Sequence, residues 1–317
     1  MSTWSASIPS NRKELARKDT EELLHRMRVW LAVFAASAVT VALSVYGFDY
    51  YRLDLDQRVE SPLHRALRPS GFIGLNLGIL SVVLFLIIFL YPLRKRWRWL
   101  GSIGKTKHWL DYHSVIGITA PILITFHSSF KFAGLAGWSY WIMVIVAASG
   151  FIGRYIYTQI PRSLHATELS AGELDDQSAA LASELTGQDI FAPEQLSALL
   201  EAPSSQDVRR MPLLTVLWTL LALDLKRPFL VGRLRRQILV GSEMVTTLGG
   251  ALRSRHTQLE SIIDKARQQS RLRTKIAFLD RLRQMFHLWH VIHRPFSISF
   301  AALVLVHIGV VIMLGYF

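Results

Sequence analysis

The stretch from His287 to Phe317, HLWHVIHRPFSISFAALVLVHIGVVIMLGYF, carries no Lys, Arg, Asp or Glu beyond Arg294. A run that long and that apolar needs a bilayer around it. Within it, His293 and His307 stand fourteen positions apart, and the segment DYHSVIGITAPILITFHSSF repeats that interval with His113 and His127. Fourteen residues complete nearly four helical turns, so each pair projects from one face, its members about 21 Å apart along the axis. A single imidazole in an apolar helix is ordinarily a hydrogen-bonded packing residue. Two pairs at the same interval are a different matter, because ionisable groups inside a span are costly and tend to be functional. Two such helices can clamp two flat macrocycles stacked through the membrane.

Composition supports an integral membrane protein: 51% of the 317 residues are hydrophobic, and the 19% that are charged are clumped. The formal charge of +13 is read as Lys and Arg gathered in cytoplasmic loops rather than as a nucleic-acid footprint. The polar start up to Arg28 argues against a secretory signal peptide. The chain has no cysteine. That excludes disulfides, thiolate-held iron–sulfur clusters and covalent C-x-x-C-H haem attachment in this polypeptide. A haem here would be held by non-covalent contacts, with histidine as axial ligand. No G-x-G-x-x-G after a strand and no Walker loop occurs, so a nicotinamide or flavin is expected on another subunit.

The expected fold is an all-α integral membrane protein, a five-helix transmembrane bundle with a cytoplasmic helical insertion between helices four and five. Residues 1–28 read as a cytoplasmic amphipathic helix, in which His25 has no role. Residues 29–157 hold spans one to four: Val29 to Gly47, Gly71 to Leu93, Asp111 to Phe130 and Trp138 to Tyr157. The loop from Phe48 to Ser70, with four basic and four acidic residues, reads as solvated, His64 included. Gly71, Gly74 and Gly78 offer a small face for helix contact. RKRWRWLGSIGKTKHW, with six Lys/Arg and no acid, is the strongest cytoplasmic marker. Asp111 reads as an N-terminal cap of the third span. Residues 158–286 form the insertion, and 287–317 the fifth span. Ser163 to Asp207 has nine acids and no Lys or Arg, whereas Val208 to Phe286 has sixteen basic residues against five acidic. The halves are expected to attract each other, or the basic one to meet anionic headgroups or an acidic partner. Leu213 to Leu223 is too short to span and reads as a core or interfacial helix. With the N-terminus cytoplasmic and the C-terminus on the opposite face, spans three and five run in the same direction.

Parallel spans match His113 with His293 and His127 with His307. Each iron would be six-coordinate, bis-imidazole and suited to electron transfer. Gly117 and Ala120 lie on the face between the first pair, leaving room for a flat ring. Other registers fail by rotation: His290 to His307 and His108 to His127 fall off a common face. His108, His287 and His290 therefore read as interfacial residues, and nothing marks His165 or His256. Arg154, Arg294 and Lys131 are candidate partners for haem propionates or, equally, snorkelling anchors. Pro295 removes a donor to Val291 and is expected to bend the last span, and Pro121 frees the carbonyl of Gly117.

The paired H-x13-H segments resemble those of transmembrane dihaem b-type cytochromes, in particular the ferric reductase and NADPH oxidase membrane domain, and more loosely respiratory cytochrome b. The resemblance covers spans three to five. It implies that His113, His127, His293 and His307 ligate the iron of two haem b groups that pass electrons across the bilayer. The segment GRYIYTQIPRSLHATELSAGEL resembles cytochrome-b-like proteins that work beside iron–sulfur or flavin subunits. Two departures stand out: no flavin and nicotinamide module follows Phe317, and ferric reductases lack an insertion at this place. The expected role is an electron-transfer subunit of an oxidoreductase complex rather than a complete enzyme, set in membrane lipid of the bacterial inner-membrane type. It would relay electrons between a cytoplasmic flavin or iron–sulfur partner and a quinone or a redox protein on the other face. Alternatives are a quinone-reactive anchor of a dehydrogenase or hydrogenase and, from another class, a cation transporter or scaffold with structural histidines.

Overall fold

The computed structural model describes residues 8–94, 96–161, 171–188, 190–239 and 242–315. Among these the chain is entirely helical. Helix α1 (Ile8–Tyr46) is followed by short α2 (Phe48–Tyr51), a 3-10 turn (Gln57–Glu60) and α3 (His64–Leu67). Next come α4 (Phe72–Arg94), α5 (Arg98–Gly101), α6 (Thr106–His127) and α7 (Gly134–Gln159). The remainder comprises α8 (Ala171–Thr186), α9 (Pro193–Leu200), α10 (Ser205–Arg210), α11 (Leu213–Ile238), α12 (Ser242–Thr246) and α13 (Thr257–Met313).

Four helical segments among the described residues are long and apolar enough to cross a membrane: Asp19–Tyr46, His64–Arg94, Gly134–Gln159 and Thr257–Met313. The helix with the first histidine pair, α6, is not among them. Its three histidines, Lys107, Asp111 and Pro121 dilute an otherwise apolar run. α6 also starts earlier than the expected span, at Thr106, after Gly104 in the left-handed region (φ +66°) and the extended Lys105. Asp111 thus lies in the second turn and is not the cap. The N-terminal helix and the first span form one continuous rod, α1. Pro295 likewise sits inside α13 without ending it.

The chain divides into two compact units, Met1–Ile152 with Ile292–Phe317, and Gly153–Val291. In the first, α6 packs closely on α4 and α1. Leu77 of α4 and Leu123 and Phe126 of α6 form its core, covered by Leu43, Ile73 and Leu84. Phe300 of α13 meets Phe85 of α4 edge to face at 4.9 Å. The loop read as solvated is instead a folded plug. Tyr50 and Leu67 are fully buried and Arg58 is 6% exposed. His64 is half-buried, with its Nδ1 3.2 Å from the Tyr50 hydroxyl. Arg58 donates to the carbonyls of Leu53 (3.0 Å), Tyr51 (2.8 Å) and Ser129. Ser129 and Phe130 reverse the chain just after α6 with φ of +50° and +61°. Left-handed backbone costs about 1–2 kcal/mol at each such residue. The bond from Arg58 and that of the Ser129 hydroxyl to Leu67 O (2.6 Å) hold the reversal in place.

In the second unit α11 and the first half of α13 form the spine. Val216 and Leu220 of α11 pack with Ile156, Ile160, Phe278 and Leu282, so the run from Leu213 to Leu223 is core. Further along, Val231 and Leu234 pack with Leu185, Leu196, Leu199 and Ile263. The expected attraction between acidic and basic halves is met in one ion pair among the described residues, Lys265 with Glu184 at 2.8 Å. The acids of the basic half pair within it instead: Asp224 with Arg227, Glu243 with His256, Glu260 with Arg235, Asp264 with Arg253 and Asp280 with Arg209.

Arg58→Leu should lower stability by about 2–4 kcal/mol, because it leaves three carbonyls of the plug short of a donor. Thermal unfolding of the purified chain followed by circular dichroism reads this directly.

Candidate functional site

All four histidines of the two pairs fall in the first compact unit. Each is half-buried. His113, in the second turn of α6, places Nδ1 3.3 Å from the carbonyl oxygen of Ile88 on α4. Its ring also lies 5.2 Å from that of Tyr91. His127, the last residue of α6, places Nδ1 2.8 Å from the carbonyl oxygen of Gly74, near the start of α4. A carbonyl only accepts, so in both rings Nδ1 carries the hydrogen. In neutral imidazole the lone pair then sits on Nε2.

His293 reaches the same state through a side chain. Its Nδ1 is 2.8 Å from the Ser149 hydroxyl of α7, which gives its own hydrogen to Val146 O at 2.8 Å. A hydroxyl that gives its hydrogen to that carbonyl accepts from the ring, and one that turns gives it to the ring instead. His307 lies in the apolar last part of α13.

Small residues make these approaches possible. A Cβ on Gly78 would fall 2.7 Å from Cε1 of His127, closer than real atoms stand. One on Gly150 would lie 3.5 Å from Cε1 of His293. Gly78 reads in sequence as a helix-contact glycine, and here it is the space into which an imidazole fits. A Cβ on Gly117, between the first pair, would meet nothing within 4 Å. Among the described residues no group of three or more His, Asp or Glu could hold a bare metal ion. A macrocyclic iron asks the protein for only two axial ligands.

Lys131 and Arg294 are exposed, and Arg154, over the Tyr157 ring, belongs to the second unit. His287 is exposed, while His290 bonds its own helix at Phe286 O (2.9 Å). His165 and the middle of the GRYIYTQIPRSLHATELSAGEL segment lie outside the described residues.

One constellation has no counterpart in the sequence reading. His25, on α1, is 5% exposed and donates Nε2–H to Asp111 Oδ2 at 2.9 Å. Its ring stacks on His108 at 3.6 Å, and Tyr112 stands edge-on at 5.4 Å. His108 in turn bonds Glu22 at 3.3 Å, and Glu22 accepts from Lys107 at 2.6 Å. The helical spacing on α6 gave a signal, since Lys107, His108 and Asp111 share a face. The distant partner on α1 gave none.

No family model, curated protein or solved structure matches the chain.

His25→Leu should destabilise the first unit by about 1–3 kcal/mol, since it strips a largely buried carboxylate of a donor. Leu is also apolar, so loss of burial area cannot explain the drop. Thermal melts of the variant and of His25→Asn, which keeps a donor, separate the two.

Proposed function

We propose that the chain is a membrane-embedded dihaem b-type cytochrome subunit that relays electrons across a bilayer. The observation that carries this reading is the common state of three imidazoles. His113, His127 and His293 each have Nδ1 held by an oxygen, which orients the ring and leaves Nε2 as the ligating atom. Metal-ligating histidines are characteristically held this way, because the outer bond sets the tautomer and raises ligand basicity. In this reading His113 and His293 hold one iron, and His127 and His307 the other. A bound haem supplies reversible one-electron chemistry, and two imidazoles on each iron direct it to electron transfer. The protein's part is to fix the four rings, keep water from them with Leu77, Leu123 and Phe126, and hold the two levels in register.

The membrane arrangement belongs to the same proposal. α6 crosses with the four apolar segments, giving five spans, and the second unit faces the cytoplasm. There it meets a flavin or iron–sulfur subunit. α6 tolerates its polar positions because α1 and α4 cover them.

A second reading, a quinone-reactive anchor, is favoured by the buried His25–Asp111 pair two positions before His113. Quinone reduction consumes protons as well as electrons, and a histidine–carboxylate pair near an electron donor can deliver them.

The purified chain should contain two protoheme groups by pyridine haemochrome. His127→Leu should lose one and retain the other, and Gly78→Val should do the same by displacing that ring. A chain that binds none, or a His127→Leu variant with unchanged content, ends this reading. In the quinone reading a quinone analogue shifts the haem spectrum of the native chain and fails to do so in His25→Leu.

A further inference from the structure

The second unit contains a cavity of about 290 Å³ that the electron-transfer reading does not use. Its wall is formed by Thr158 and Gln159 from the end of α7, by Asp224 and Arg227 from α11, and by Arg267, Arg271, Thr274 and Lys275 from α13. The α13 residues recur at intervals of four, seven and eight, which places them on one helix face. Four cations thus surround one carboxylate, and that carboxylate is already engaged. Asp224 bonds Arg227 (2.5 Å), the Tyr155 hydroxyl (2.9 Å) and the Gln159 amide (2.6 Å).

Arg227 is in turn satisfied, by Asp224 and by Ser270 Oγ at 3.3 Å. Of the other three cations, Lys275 donates to the Thr158 carbonyl at 3.4 Å and Arg271 is exposed at the cavity's edge. Among the described residues no carboxylate pairs with Arg271 or Lys275. The Nε of Arg267 is buried with no hydrogen-bond partner among them, although its guanidinium tip lies 3.8 Å from Asp264. Burial, and then the adjoining Arg271, push the Lys275 amine below the ordinary lysine range. A concave place lined by four cations and one carboxylate attracts negative charge.

We propose that this cavity binds a phosphate-bearing anion, held by Arg267, Arg271 and Lys275, with Thr274 and Thr158 at its wall. Guanidinium forks match phosphate oxygens in pairs, and the ammonium adds a point charge. The cavity has room for a phosphate and for several of the atoms attached to it. Gln159 is the last residue of α7, one of the apolar segments long enough to span. Chain continuity alone therefore puts the site at the end of a span, where the phosphodiester of an anionic lipid is the abundant form of this chemistry.

Isothermal titration of the full chain in neutral detergent tests this, with inorganic phosphate, dihexanoyl phosphatidylglycerol and zwitterionic dihexanoyl phosphatidylcholine as probes. Saturable binding of phosphate or of phosphatidylglycerol is expected, with phosphatidylcholine far weaker. Binding of both points to a site open to free phosphate, and binding of phosphatidylglycerol alone points to a lipid headgroup. Arg271→Gln/Lys275→Gln should weaken binding about tenfold to a hundredfold, as loss of two charge-assisted bonds implies. Arg255→Gln, an exposed control of equal charge loss per residue, should leave it unchanged. Circular dichroism establishes that each variant is folded, and the single Lys275→Gln variant serves if the double one is not. No saturable binding by the native chain, or equal weakening in the Arg255→Gln control, overturns the proposal.

Discussion

An imidazole set between apolar helices must give its N–H to something, and here the receiving atoms are oxygens of the neighbouring helix. This requirement organises the first unit. For the carbonyls of Gly74 and Ile88 to serve α6, α4 must lie close along it, and Gly78 removes the side chain that would prevent this. For His127 to reach Gly74 from the last position of α6, the chain must turn sharply straight afterwards. The left-handed Ser129 and Phe130 make that turn, and Arg58 secures it from the plug. The plug is thus part of the histidine's setting, although no residue of it touches the ring. A buried arginine satisfied by backbone carbonyls suits this task, because five donors in a rigid fork reach several strands of chain at once.

The second unit solves a different problem. A basic helix leading into an apolar one would repel itself if its charges were left to solvent alone. Its own acids instead pair with cations of the same half, Glu260 and Asp264 with two each, and the Arg235–Glu260 pair is buried with both side chains at most 6% exposed. Such a pair yields little net stability over an apolar replacement but fixes how α11 and α13 meet. The acidic stretch before it contributes mostly apolar contacts, through Leu185, Phe191, Leu196 and Leu199.

The interval between histidines, the apolar runs and the all-helical character were legible in the sequence because each is a periodic property of side chains. The outer partners were not. Ile88 and Gly74 act through backbone oxygens, and every residue has one, so nothing in their identity announces the role. Ser149 was hidden for a related reason, since serine in an apolar helix ordinarily bonds its own carbonyls. The plug was misread because its balanced charges look solvated, and only the three-dimensional path shows Arg58 turned inward. His25 had no periodic partner at all. Its carboxylate lies on another helix, a contact between segments remote in the chain. The attraction of acidic for basic halves failed as a guide because net charge does not say which acid is nearest to which cation.

The first unit is discontinuous in the chain: its last helix arrives only after the whole of Gly153–Val291. On a ribosome working at about 5–20 residues per second, that interval lasts roughly seven to thirty seconds. During it His113 and His127 are already placed by α4, while His293 and His307 do not yet exist. The nascent chain therefore spends that interval with the histidines of α6 made and those of the last segment still to come. Interposing a domain between the two histidine segments thus sets a clock on assembly.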